Sequence, residues 1–116
     1  MKVISLEDTA RTAVDRPGAQ NLWKQVPISA RDGSPSFSMR VFTVDPDGHT
    51  PYHSHASEHL NYVIRGSGAL VTESGHEHAL KEGDFALVLP HEKHRYRNTS
   101  ADGPLVIICA VPKEYE

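Results

Sequence analysis

The chain has a single cysteine, Cys109, so no disulfide can form within it and its fold cannot rest on a disulfide framework. Long apolar runs are missing too: none approaches the ~20 residues that span a bilayer. The N-terminal MKVISLEDTA turns acidic where the apolar stretch of a secretory signal would continue. These absences predict a cytoplasmic protein with no membrane partner. Excess positive charge is lacking as well, with 12 Lys and Arg against 15 Asp and Glu and a formal net charge of −3. The basic residues never form a long run, which argues against a nucleic-acid partner. No helical pattern of normal length, internal repeat or low-complexity segment is present.

What remains is a chain of 116 residues, 38% hydrophobic and 23% charged, with 8 glycines and 8 prolines scattered along it. That size fits one domain with one core. From Asn21 onward the apolar runs are short, rich in Val, Ile, Tyr and Phe, and separated by Gly, Pro, Asp and Ser. This spacing predicts an all-β sandwich or barrel. Strands are expected over 21–28, 36–44, 51–56, 58–65, 68–73, 76–80, 84–89, 93–98 and 104–111. Turns are expected at 31–35, 45–48, 73–75, 81–84 and 101–104, where the residues suit tight or left-handed backbone. Residues 1–20 read as an N-terminal arm, with a possible short strand at Val3–Leu6, and residues 21–116 as the barrel domain.

Histidine is abundant, with 8 in the chain, and four are suggestively spaced: His53, His55 and His59 together, His94 downstream. Imidazole is the commonest side-chain ligand for transition metals. Side chains alternate along a strand, so His53 and His55 are expected on one face, with His59 facing the same way from the next strand. A barrel can bring His94 to them across its interior.

The segment DGHTPYHSHASEHLNYVIRG carries His-x-His, three residues, His59, six residues and Gly66. The segment GDFALVLPHEKHRYRN carries Gly83, His94 and, four positions on, Asn98. These spacings resemble the two motifs of the cupins, with His59 standing where the wider family usually has glutamate. Asp47 stands in the place of the first motif's glycine. In the second motif Leu89 stands for a proline and His91 for a glycine, the latter implying positive φ at a non-glycine residue. The resemblance covers most of residues 36–114 and implies a single-domain jelly-roll barrel, or double-stranded β-helix. Histidine in the glutamate position resembles the small four-histidine cupins that bind manganese or iron, and so implies a divalent metal on His53, His55, His59 and His94. Imidazole alone leaves nickel, copper and zinc open.

Four neutral imidazoles leave the charge of a divalent ion uncompensated, so the expected partner is a small anionic or oxygen-chelating substrate. The preferred expectation is a metal-dependent oxygenase. The alternatives are a non-redox isomerase or lyase of sugar acids and a non-catalytic binding protein, since one fold hosts many activities. Two further residues are candidate catalytic groups. Tyr96 shares the inward parity of His94 and could hydrogen-bond a substrate, the alternative being a barrel aromatic satisfied elsewhere. Cys109 lies in the last apolar run, where a buried inert thiol is the usual reading; similar small cupins place a cysteine there, near the metal.

The remaining histidines are expected outside the site: His76 and His78 flanking a hairpin turn, His49 and His91 in turns near the mouth. Glu58 has the opposite parity to His59 and is expected to point outward. Leu60, Tyr62 and Ile64 form an outward apolar row, which predicts a homodimer through sheet faces. Metal binding needs neutral imidazoles, so affinity is expected to fall below about pH 6.5.

Overall fold

A computed structural model describes all 116 residues. Nine strands are present: β1 (Thr12–Ala13), β2 (Gln20–Ile28), β3 (Phe37–His49), β4 (His59–Arg65), β5 (Ser67–Thr72), β6 (Glu77–Lys81), β7 (Phe85–Val88), β8 (His94–Asn98) and β9 (Leu105–Pro112). Every pairing is antiparallel, in the order β6-β5-β8-β3-β9-β4-β7, and β2 joins β3 with β1 at its side. This curled sheet is the expected all-β, single-domain jelly roll. No helix is long and apolar enough to cross a membrane.

Alternation puts one side of each strand inside. In β4 the buried residues are His59, Asn61 and Val63, while Leu60 points out. Leu22, Val44, Val63, Leu70, Leu80, Val88, Tyr96, Leu105 and Ile107 make one core. The site residues of β4 and β8 therefore project into the barrel beside that core. Between β4 and β5 the chain reverses at Gly66, φ +83°, where a Cβ would stand 2.1 Å from the Pro104 carbonyl oxygen. Only glycine accepts both the left-handed backbone and that approach.

Three expectations are corrected. Residues 51–56 form a loop rather than a strand, touching the sheet at one bridge, His53 with His94. Pro51 has no N–H to give a ladder, and the chain must cross the barrel mouth here to reach β4. Residues 45–48 do not turn the chain. They form a bulge inside one long strand, β3, with the register against β2 shifting between Gln20 and Leu22. Positive φ at Asp47 (65°) and Asn21 (47°) absorbs the irregularity. The Gln20 and Asn21 amides donate to the Asp47 and Pro46 carbonyls freed by it. In the arm, Val3–Leu6 is not a strand. Ser5 accepts from the Asp8 N–H in a local turn, and the strand falls instead at β1.

Candidate metal centre

The loop that carries His53 and His55 is held to β8 by backbone bonds that place the rings. His53 and His94 exchange both bonds, at 3.1 and 3.0 Å, and Thr50 N–H donates to the Tyr96 carbonyl at 2.9 Å. The Tyr96 N–H returns to the Thr50 hydroxyl at 2.9 Å. His91 N–H donates to the His55 carbonyl, and His91 takes φ +69°, the positive value expected of a residue in a glycine position. His59 begins β4 and His94 begins β8, both buried and pointing inward.

The four imidazoles converge. His55 and His59 stack with centroids 3.9 Å apart, His53 and His55 meet edge to face at 4.2 Å, and His94 lies 5.1 Å from His55 and 5.6 Å from His53. Ligand nitrogens of His55, His59 and His94 all lie within 4.8 Å of one another, so these three can hold a metal ion. The Nε2 of His53 lies 2.5 Å from the Nε2 of His55. His53 thus lies against the group of three without belonging to it by that distance.

Hydrogen bonds at the outer nitrogens set the tautomers. His53 Nδ1–H donates to the Pro51 carbonyl and His94 Nδ1–H to the Glu92 carbonyl, both at 2.8 Å, which leaves each Nε2 a free lone pair facing the others. The Nε2 of His59 and the Nδ1 of His55 are buried with no hydrogen-bond partner. Buried polar atoms rarely stay unpaired, and an ion among these rings removes that penalty for His59. A divalent metal therefore fits the donor set. Burial lowers the pKa of all four rings, reinforced at His53, His55 and His59 by repulsion from neighbouring cationic groups and opposed at His94 by Glu92; His55 falls to about 4 and His59 to about 3. The rings stay neutral and able to coordinate through the physiological range.

Both candidate catalytic residues lie in the same cavity, which measures about 270 Å³. Tyr96 is buried and its hydroxyl donates to Asn61 Oδ1 at 2.9 Å, so the barrel-aromatic alternative is part of the answer. Burial pushes its ionisation well above the normal phenol range, so it keeps its proton at neutral pH. The Cys109 sulfur sits 3.6 Å from His59 Nδ1 and 3.1 Å from an Arg40 guanidinium nitrogen. It is buried, as expected, and beside a proposed ligand. Glu58 is exposed, as are His76 and His78, whose rings pair 4.5 Å apart on and next to β6. His49 and His91 lie outside the cavity wall.

Among the cavity-lining residues that the sequence does not single out are Arg40 and, from the arm, Val14 and Arg16. Arg40 had a signal, because it shares strand parity with Phe42 and Val44 and so stands on the inward face of β3. The arm had none, since its path across the barrel mouth is a tertiary fact.

Residues 40–111 match the family model described as the Cupin domain. The chain is similar to the L-ectoine synthase of Mycolicibacterium gilvum, 28% identical over 99 residues that cover 84% of this chain and 74% of the synthase. The solved structure of the polyketide cyclase RemF from Streptomyces resistomycificus superposes with a TM-score of 0.90 at 28% identity, over 97% of this chain and 79% of that one. A cupin-2 domain from Rhodospirillum rubrum gives a TM-score of 0.81 at 20% identity over 96% and 74% of the two chains, a likeness of fold alone.

Proposed function

The chain belongs to the cupin family, and on that premise we propose that it is a metal-dependent, non-redox lyase of the ring-closing kind, with a divalent ion held by His53, His55, His59 and His94. The observation that carries this reading is the cavity: four convergent imidazoles, a protonated phenol and no carboxylate, in a fold shared at a TM-score of 0.90 with a polyketide cyclase. The two relatives at 28% identity are named a synthase and a cyclase. Neither name speaks for the oxygenase expected first, and the non-redox alternative takes its place. Manganese or iron remain the expected ions on the four-histidine resemblance.

A divalent ion held by these histidines would supply Lewis acidity toward a substrate carbonyl. The chain's own groups do the rest. The locked imidazoles of His53 and His94 hold the coordinating atoms in place, so little reorganisation accompanies binding. The Tyr96 hydroxyl gives its one proton to Asn61 Oδ1, so it would hydrogen-bond a substrate oxygen as donor only by exchanging that bond, and otherwise offers the cavity its lone pairs. The apolar walls of Leu22, Phe42 and Ile107 exclude water from the reacting centre. In such a ring closure an amine or enolisable carbon within the substrate bonds to the carbonyl carbon, both carbon–oxygen bonds of that carbonyl break, and the oxygen departs as water with the two protons that the nucleophilic nitrogen or carbon gives up. No electrons are exchanged with an outside oxidant.

The test is anaerobic. Metal-loaded protein is incubated with open-chain oxo compounds carrying an amine or enolisable carbon at ring-closing distance, and products are followed by mass spectrometry. Loss of one water without oxygen is the expected result. Turnover that requires and consumes dioxygen overturns the reading.

We also propose a homodimer packed through the outer face of β4 and β7. Leu60, Phe85 and Leu87 are 53%, 80% and 54% exposed there, and the Tyr62 ring packs tilted against Phe85 with centroids 4.6 Å apart. A contiguous apolar face of this kind on a sheet edge favours association.

A further inference from the structure

One charge in the cavity is unused by the metal reading. Arg40 lies on β3 with only 9% of its surface exposed. Its one polar partner is the Cys109 sulfur, a weak acceptor, at 3.1 Å. Its guanidinium carbon stands 5.1 Å from the Phe42 ring centre, and its Nε is buried with no partner. No ion pair includes it, and no Asp or Glu lines the cavity. Buried arginines are normally paired, because desolvating the charge is costly. Here the protein provides the cation and leaves the anion out.

We propose that Arg40 is the anchor for a substrate carboxylate, which assigns the substrate to the small carboxylic acids. The inference rests on the reading above, that the histidine cavity is where substrate reacts. A planar guanidinium matches the geometry of a carboxylate, and apart from the Cys109 contact its N–H donors are uncommitted. A single buried cation balances one negative charge. A phosphate dianion asks for further donors, such as a glycine-rich loop or a helix N-terminus, and no glycine and no helical N-terminus lines this cavity. Arg16, exposed at the rim and in no ion pair, adds positive potential at the entrance and draws anions inward. A cavity of about 270 Å³ lies just under the ~300 Å³ where pockets for drug-sized ligands begin, so the acid is small.

The experiment uses metal-free protein, so that binding reports on Arg40 and not on an ion. Propionate, its neutral counterpart propionamide, and inorganic phosphate are titrated separately, and chemical shifts of the protein are followed by NMR. Propionate should bind, with propionamide and phosphate at least tenfold weaker. Arg40→Met should weaken propionate at least tenfold, and Arg40→Lys, which keeps the charge and loses the planar fork, should fall between. Arg40→Met removes an unpaired buried charge and is expected to melt no lower than the parent. If it fails to fold, Arg40→Lys carries the comparison. Propionate binding that is absent, unchanged in the folded Arg40 variants, or matched by propionamide or phosphate overturns the proposal. Metal content, measured in parallel, separates the two readings. Protein that binds propionate through Arg40 but takes up no metal removes the ring-closing function and leaves the anchor standing. Metal uptake with Arg40-independent propionate binding does the reverse.

Discussion

Replacing Asn98 with alanine should cost about 3 kcal/mol of stability, although the residue does not line the metal cavity. Asn98 ends β8, 6% exposed, and its amide does three things at once. The Nδ2 donates to the Val44 carbonyl and to the Gly103 carbonyl, each at 2.9 Å, while Oδ1 accepts from Ser100 N–H at 2.7 Å. One side chain thereby ties β8 to β3 and shapes the turn that leads into β9. The Val44 carbonyl lies in a fully buried residue, so losing its donor strands an acceptor at about 1–3 kcal/mol. The other two partners are partly buried and water can replace their bonds, which leaves a loss of about 0.5–1 kcal/mol each. The sum is a large fraction of the ~5–15 kcal/mol that holds a domain of this size together.

Urea denaturation of parent and variant, with the slope unchanged and the midpoint lowered, is the assay. Asn98→Asp supplies the control. It keeps the acceptor for Ser100 but turns a charged oxygen toward two carbonyl oxygens, so at pH 7 it should be at least as damaging as alanine. An alanine variant within 1 kcal/mol of the parent, or an aspartate variant milder than alanine, would refute the reasoning.

Other consequences follow from the same geometry. Gly66→Ala should destabilise the protein by about 2–4 kcal/mol, because the new Cβ meets the Pro104 oxygen at 2.1 Å on a backbone at φ +83°. Thermal denaturation checks it, and a stability unchanged or raised would contradict the clash. Metal affinity, measured by chelator competition, should fall by well under ~10⁴-fold between pH 7.5 and 5.5, because burial holds all four rings below their free value, His55 to about 4 and His59 to about 3. Four imidazoles at the free value of ~6.5 would lose about 10⁴-fold over that interval, and a drop of that size would show the rings unshielded. The stability of the metal-free fold should be pH-dependent over the same range. Its depressed histidines stay neutral while the unfolded chain's take up protons, so stability is full above about 6.5 and declines as pH falls toward 4. A urea midpoint flat across that window would exclude it. Phe85→Glu, a charge on a side chain 80% exposed, should convert a dimer to monomers in light scattering without lowering the melting temperature of the subunit.

Legibility in the sequence varied with how local the cause was. The β4 alternation of His59, Asn61 and Val63 against Leu60 was readable because a strand with one face inside must alternate. Residues 51–56 imitate that pattern: His53-x-His55 looks like alternation, yet its backbone is fixed by bonds from β8, over 30 residues away. The Asp45–Gly48 run has turn residues, and those same residues serve a bulge, which the chain allows because β2 supplies side-chain amides for the freed carbonyls. Arg40 was passed over because an isolated arginine in a strand ordinarily faces water. Its parity with Phe42 and Val44 points it inward, but only the neighbours that bury it show that the cation is unpaired.

His59 connects these parts. Glutamate at this position would bring a negative charge beside the ion, and that charge would also offer Arg40 a nearby partner. With imidazole there instead, the cavity wall carries Arg40 and Arg16 and no acid. Cys109 stands between the two functions, its sulfur in reach of both the Arg40 guanidinium and His59 Nδ1. A thiol is nearly neutral toward both, where a serine hydroxyl would bond the imidazole firmly and an acid would neutralise the arginine. On the proposed reading, histidine at position 59 and the unpaired arginine are one arrangement: the negative charge absent from the cavity wall is left for the substrate to bring.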